Sequence, residues 1–156
     1  TNDGTIFAKY CEKTLGIPVS NIKLVRNATL NGIRRQLVWV GQVMEAYNGE
    51  ANVIFYYAGH GIPDEKDKSA YLLPVDGFGS DVSTGYSLDK LYAELGSKPA
   101  KSVVVLLDAC FSGAKRDGGM LASARGVAIK AKQNEPKGNM VVISAAQGDD
   151  TLLSNL

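Results

Sequence analysis

Hydrophobic and polar positions along the chain follow two rhythms. From Leu30 to Tyr47 apolar residues recur at steps of three and four, at Leu30, Ile33, Leu37, Val40, Met44 and Tyr47. That spacing puts them on one face of a helix, with Thr29 as its expected cap and Asn48-Gly49 as its stop. Ile6, Phe7, Tyr10, Cys11 and Leu15 predict a second helix over residues 1–15, with Asp3 as candidate cap and Gly16 and Pro18 ending it. A third is expected after Ser87, where Leu88, Leu91, Tyr92 and Leu95 share a face before Gly96 to Pro99 break it.

The other rhythm is the short, nearly unbroken apolar run. N-V-I-F-Y-Y-A (residues 52–58), A-Y-L-L-P (70–74), V-V-V-L-L (103–107) and M-V-V-I-S-A (140–145) are of this kind. Runs this short, β-branched or aromatic, read as strands of a sheet covered on both faces. Asn21 to Val25 alternates enough to predict one more short strand. Residues 62–69 and 77–86 read as loops, Ala122 to Lys132 as a loose helix, and Gln147 to Leu156 as exposed tail. Strands and helices alternate, which predicts a single α/β domain with a mainly parallel sheet and helices on both faces. The chain opens directly on a helix and stops soon after a buried strand. A strand before residue 1 and further elements after residue 156 are therefore expected in the native molecule.

Two of the runs end in reactive groups. The run from Val103 stops at Asp108-Ala109-Cys110, and the run from Val53 stops at Gly59-His60-Gly61. Ligands bind beyond the carboxyl ends of strands in open α/β sheets. His60 is the only histidine and precedes Cys110 by about fifty positions. If their strands are neighbours, thiol and imidazole can meet, which is the minimum for thiol catalysis. A lone cysteine or histidine is more often structural; the pairing at two strand tips favours catalysis. Asp108 could instead cap the following turn, and Cys11 reads as core.

Composition narrows the classes little. The net charge of +1 gives no basic face for nucleic acid or an anionic membrane surface. Two cysteines make no disulfide framework, and both are expected reduced. No apolar run approaches a membrane span and no signal peptide is recognisable, so a soluble protein is expected, with no address for its compartment. Gly118-Gly119 fits no phosphate-binding pattern. No metal or cofactor is expected. Asp64, Glu65 and Asp67, with Asp117 and Asp149, could hold calcium, but Lys66 and Lys68 interleave them and a solvated acidic loop is the favoured reading.

Y-Y-A-G-H-G (56–61), L-L-P-V-D (72–76) and L-L-D-A-C-F-S-G (106–113), in this order and spacing, resemble the caspase-like cysteine peptidases, nearest the metacaspase-like and bacterial caspase-like branch. The caspase signature is Q-A-C-[RQG]-G with a histidine about fifty residues upstream; here Asp108 stands in place of the glutamine. The resemblance spans nearly the whole chain. It implies a caspase-like sandwich, of which this chain is the large-subunit part. Cys110 would be the nucleophile, His60 its acid/base partner, and the backbone amides of Gly61 and Cys110 the oxyanion hole. Asp108 would line the pocket for the residue before the scissile bond. A carboxylate there reverses the sign of a caspase's basic pocket and implies cleavage after arginine or lysine. Ser144 and Ala145 would form another pocket wall.

The implied partners are a peptide or protein substrate with a basic residue at that position and the small-subunit segment of the same precursor. Calcium activates many metacaspases, and family members often process themselves; Lys115, Arg116, Arg125 and Lys130 are candidate internal sites. Ala58 and Phe111 depart from the serine and the histidine or arginine common at those positions in metacaspases. Two other readings compete: a catalytically silent caspase-like scaffold that binds partners, and a flavodoxin-like small-molecule binder.

Overall fold

A computed structural model describes residues 2–111, 136 and 138–145. The expected helix at 122–132 and the tail from 147 lie outside them, as do the basic residues at 115, 116, 125 and 130. The described elements are α1 (Asn2–Lys13), α2 (Leu30–Ala46), β1 (Asn52–Pro63), β2 (Ala70–Leu73), β3 (Tyr86–Ser87), α3 (Leu88–Gly96), β4 (Ser102–Cys110) and β5 (Met140–Ser144).

Five strands form one sheet in the order β3-β2-β1-β4-β5. β1, β4 and β5 are parallel, whereas β1–β2 and β2–β3 are antiparallel. The sheet is thus mixed, more antiparallel than the alternating pattern implied. The cause is the short hairpin from Pro63 to Ala70, which leaves no room for a crossover helix.

Alternation sorts the two faces. Val103, Val105, Leu107 and Ala109 of β4 are buried, while Asp108 between them is exposed. The buried face meets Ile33, Leu37 and Met44 of α2 and Leu88, Leu91, Tyr92 and Leu95 of α3. α1 lies on the other face, where Phe7 stacks on Tyr56 of β1 at 4.4 Å between ring centroids, a contact worth about 1 kcal/mol beyond the area it buries.

Helix starts follow the sequence signals. The Thr29 hydroxyl accepts from Gly32 N at 3.0 Å, and the Ser87 hydroxyl accepts from Lys90 N. Asn48 and Gly49 end α2 with positive φ, at 46° and 93°. Asp3 sits inside the first turn of α1 rather than before it, a place that suits the helix dipole. Asp76, the end of L-L-P-V-D, serves the scaffold. Its Oδ1 accepts from Leu30 N at 2.9 Å and ties the end of the β2 arm to the start of α2.

Two strand expectations need correction. Residues 22–25 form no strand, because alternation without a partner makes no ladder. A single 3-10 turn, Val19–Asn21, precedes them, and side chains hold the segment: Arg26 donates to Thr5 Oγ1, and Lys23 Nζ lies 5.0 Å from the Trp39 ring centre. Nor does β1 stop at Gly59; it runs through Gly-His-Gly to Pro63 because β2 takes up its last four residues.

Candidate functional site

The register brings the two reactive residues together. β1 and β4 pair from Asn52↔Ser102 to His60↔Cys110, the last rung of their ladder. Partners on a parallel rung stand on the same face of the sheet. His60 also opposes Leu73, where the antiparallel pairing with β2 ends. The chain leaves β1 for β2 on one side, whereas β5 lies beyond β4 on the other, so His60 and Cys110 stand at the crevice where the strand order reverses, the kind of switch point at which α/β sheets hold ligands. His60 is exposed and Cys110 half-buried.

Asp108 lies two residues before Cys110, on the same face and about 7 Å back along the strand. Its rung partner is Ala58, between the rungs Tyr56↔Leu106 and His60↔Cys110. The small alanine leaves room beside an exposed carboxylate. A second carboxylate comes from α1. Burial raises the Tyr56 hydroxyl above its ordinary range, and the nearby charges of Asp108 and then Asp3 raise it further. Two acids thus bear on one phenol of the face that also carries the candidate cysteine.

The glycines flanking His60 are explained by their neighbours. Neither has a positive φ. A Cβ at Gly61 would fall into the ring of Phe111 and stand 2.9 Å from the Cys110 carbonyl oxygen, and one at Gly59 would stand 2.7 Å from Tyr57 Oη. Crowding excludes side chains there; the close approach of a substrate is not needed to account for either glycine. Phe111 packs against the main core.

Other expected residues are placed less centrally. Ser144 pairs with Leu107, so its pleat position belongs to the face opposite Asp108. Ala145 follows it and donates its N–H to the Leu107 carbonyl at 2.9 Å. Cys11 is buried beneath α1, and burial pushes its thiol upward. In the acidic loop, Asp64 Oδ1 accepts from Lys66 N, and Asp67 Oδ1 accepts from the Ser69 N–H and hydroxyl. These oxygens brace the turn, and the described residues contain no cluster of three or more His, Cys, Asp or Glu that could hold a metal; Asp117 and Asp149 lie outside them. A concavity of about 290 Å³ at the β3 edge, lined by Arg34, Tyr71, Tyr86, Ser87 and Lys90 among others, includes no candidate site residue.

Two residues that bear on the site are hard to find from the sequence. Asp3 looks like a cap, and nothing in its own segment points to Tyr56. Tyr57 looks like an ordinary strand residue, although an aromatic two positions before a glycine, on one pleat face, is a readable signal.

The α/β domain thus carries a thiol and an imidazole on one rung where β1 and β4 last pair. Comparison with known families matches residues 1–155 to the caspase domain, and the chain belongs to that family of cysteine peptidases. No curated protein matches the chain. The family implies protein substrates. Among the described residues no helix is long and apolar enough to cross a membrane.

Proposed function

We propose that this chain is a cysteine endopeptidase of the metacaspase-like branch, cleaving after arginine or lysine with Cys110 as nucleophile and His60 as acid/base. The reading is carried by the His60↔Cys110 rung with Asp108 on the same face. Cys110 Sγ, its proton taken by the imidazole, attacks the scissile carbonyl carbon. The amides of Gly61 and Cys110 receive the oxyanion. Cys110 stands on the last rung of the β1–β4 ladder, and Gly61 follows that rung by one residue, opposite Leu72 of β2. The carbon–nitrogen bond then breaks and His60 gives its proton to the leaving amine. Water, deprotonated by His60, attacks the thioester; the acid leaves and the thiol is restored.

Asp108 supplies the charge that selects the substrate, and Asp3 adds a second carboxylate to the same field. A guanidinium can bind a carboxylate bidentately, which favours arginine over lysine. Ala145, beside the end of β4, is a better pocket wall than Ser144. No metal enters the chemistry; calcium, if it acts, acts on activation.

The test is covalent labelling. Freshly reduced protein is treated with a peptidyl-arginyl chloromethyl ketone, and the adduct is located by mass spectrometry. Labelling at Cys110 is expected, lost in Cys110→Ala and weak with an aspartyl probe. Protein that stays unlabelled is a scaffold in place of a peptidase; preference for the aspartyl probe reverses the specificity.

A further inference from the structure

His60 is held from behind. Tyr57, three residues earlier, points its phenol along the α2–α3 side of the sheet and past Gly59. Its Oη lies 2.9 Å from the His60 carbonyl oxygen and 3.0 Å from the Leu73 carbonyl oxygen. Both are acceptors, so the single hydroxyl proton serves the two of them. Gly59 makes the path possible, because a Cβ there would crowd Oη. Phe111 closes the same side over Gly61.

The His60 carbonyl and the Gly61 N–H belong to one rigid trans peptide plane and point in opposite directions. A donor fixed on the carbonyl therefore sets the direction of the amide. Leu73 of β2 and Cys110 of β4 both stand opposite His60, so the shared hydroxyl ties the 60–61 peptide to β2 on the rung that carries Cys110.

We propose that Tyr57 is a positioning residue: its hydrogen bond to the His60 carbonyl locks the 60–61 peptide plane, and with it the stance of the imidazole and of the Gly61 amide toward Cys110. The inference rests on the thiol–imidazole reading of this site. Tyr57 touches no substrate and carries no proton in the reaction. Burial pushes its hydroxyl up to about 12, partly opposed by the bond to Leu73, so it remains a donor through the neutral range. A plain buried tyrosine would add stability and nothing more. Tyr86 is the matched control: it is buried, and its hydroxyl donates to Glu94 at 2.7 Å, away from the site.

The experiment compares wild type, Tyr57→Phe and Tyr86→Phe as full chains. His60 is the sole histidine, so its ring proton gives one NMR signal that can be followed against pH without any activity. Turnover of a peptidyl-arginyl amide is measured in parallel. Tyr57→Phe is expected to move the His60 signal, and to lower kcat about tenfold or more with KM within about twofold. Tyr86→Phe is expected to change neither. Gly59→Ala, which crowds the same hydroxyl, poses the question again and replaces Tyr57→Phe if that variant does not fold. An unmoved His60 signal with wild-type kcat overturns the proposal, and so does an equal loss in Tyr86→Phe. A wild type that neither labels nor turns over brings down the peptidase reading instead, while the His60 signal still reports whether Tyr57 holds the histidine.

Discussion

Phe111 fills the space that a side chain at position 61 would need. The ring lies where a Gly61 Cβ would stand, with the Cys110 carbonyl oxygen 2.9 Å from the same point. One contact therefore couples the residue after the candidate nucleophile to the residue after the candidate acid/base. Gly61→Ala must push the ring away or spread β1 from β4. Overpacking of this kind costs about 1–3 kcal/mol, read as a lower urea midpoint. Phe111→Leu in the same chain should recover part of the loss and no more, because the Cys110 carbonyl is backbone and does not yield. Full additivity of the two substitutions would show that ring and glycine do not interact.

Charge at the site makes a separate prediction. Asp108→Asn keeps the shape of the side chain and removes its charge. Turnover of arginyl substrates, as kcat/KM, should fall about a hundredfold, within the range of a lost charge-assisted bidentate contact. Asp3→Asn should act in the same direction and more weakly, because Asp108 is the stronger influence on Tyr56. Labelling of Cys110 by iodoacetamide, which carries no charge, should be little altered in either. If Asp108→Asn processes arginyl and uncharged substrates as wild type does, this carboxylate does not read the substrate.

How far the sequence discloses this site depends on which interactions made it. The helix over Leu30–Ala46 was legible because its period and caps are local, and the strands of β1, β4 and β5 because continuous apolar runs have few other uses. The meeting of His60 and Cys110 was an inference from two strand tips; the shared rung comes from sheet order, which no local pattern encodes. Asp76 stands out in the sequence only as the end of L-L-P-V-D, and its bond to Leu30 spans 46 positions. Residues 22–25 misled because alternation registers polarity and is silent on whether a partner strand exists. Asp3 could not be read as part of the site, since its link to Tyr56 is a matter of how α1 lies across the sheet.

Asp76 and Thr29 together satisfy the first amides of α2, through Leu30 N and Gly32 N. Asp76→Ala and Thr29→Ala should each cost about 1 kcal/mol of stability, the usual effect of losing a helix cap. Both contacts belong to one helix end, so the pair should be non-additive. Cys110 labelling in the folded fraction should stay near wild type. A loss of labelling at unchanged stability would move Asp76 from scaffold to site.

Alkaline pH is the last lever. Burial pushes the hydroxyls of Tyr57 and Tyr92 up to about 12 from an ordinary 10.0, and that of Tyr86 higher still, helped by Glu94. In each case the folded state holds its proton more tightly than the unfolded chain. Below the ordinary value both states are protonated, so these groups add no pH dependence. Above it the unfolded chain loses protons that the fold retains, and stability falls with rising pH by linkage. The urea midpoint should therefore be flat toward neutrality and decline from about pH 10 to about pH 12. Tyrosinate absorbance should rise in two stages, exposed tyrosines first and these three only with unfolding. Tyr57→Phe should make the decline shallower, because one of the retained protons is gone. A midpoint independent of pH across that interval would mean that the three hydroxyls ionise as readily in the fold as in the open chain.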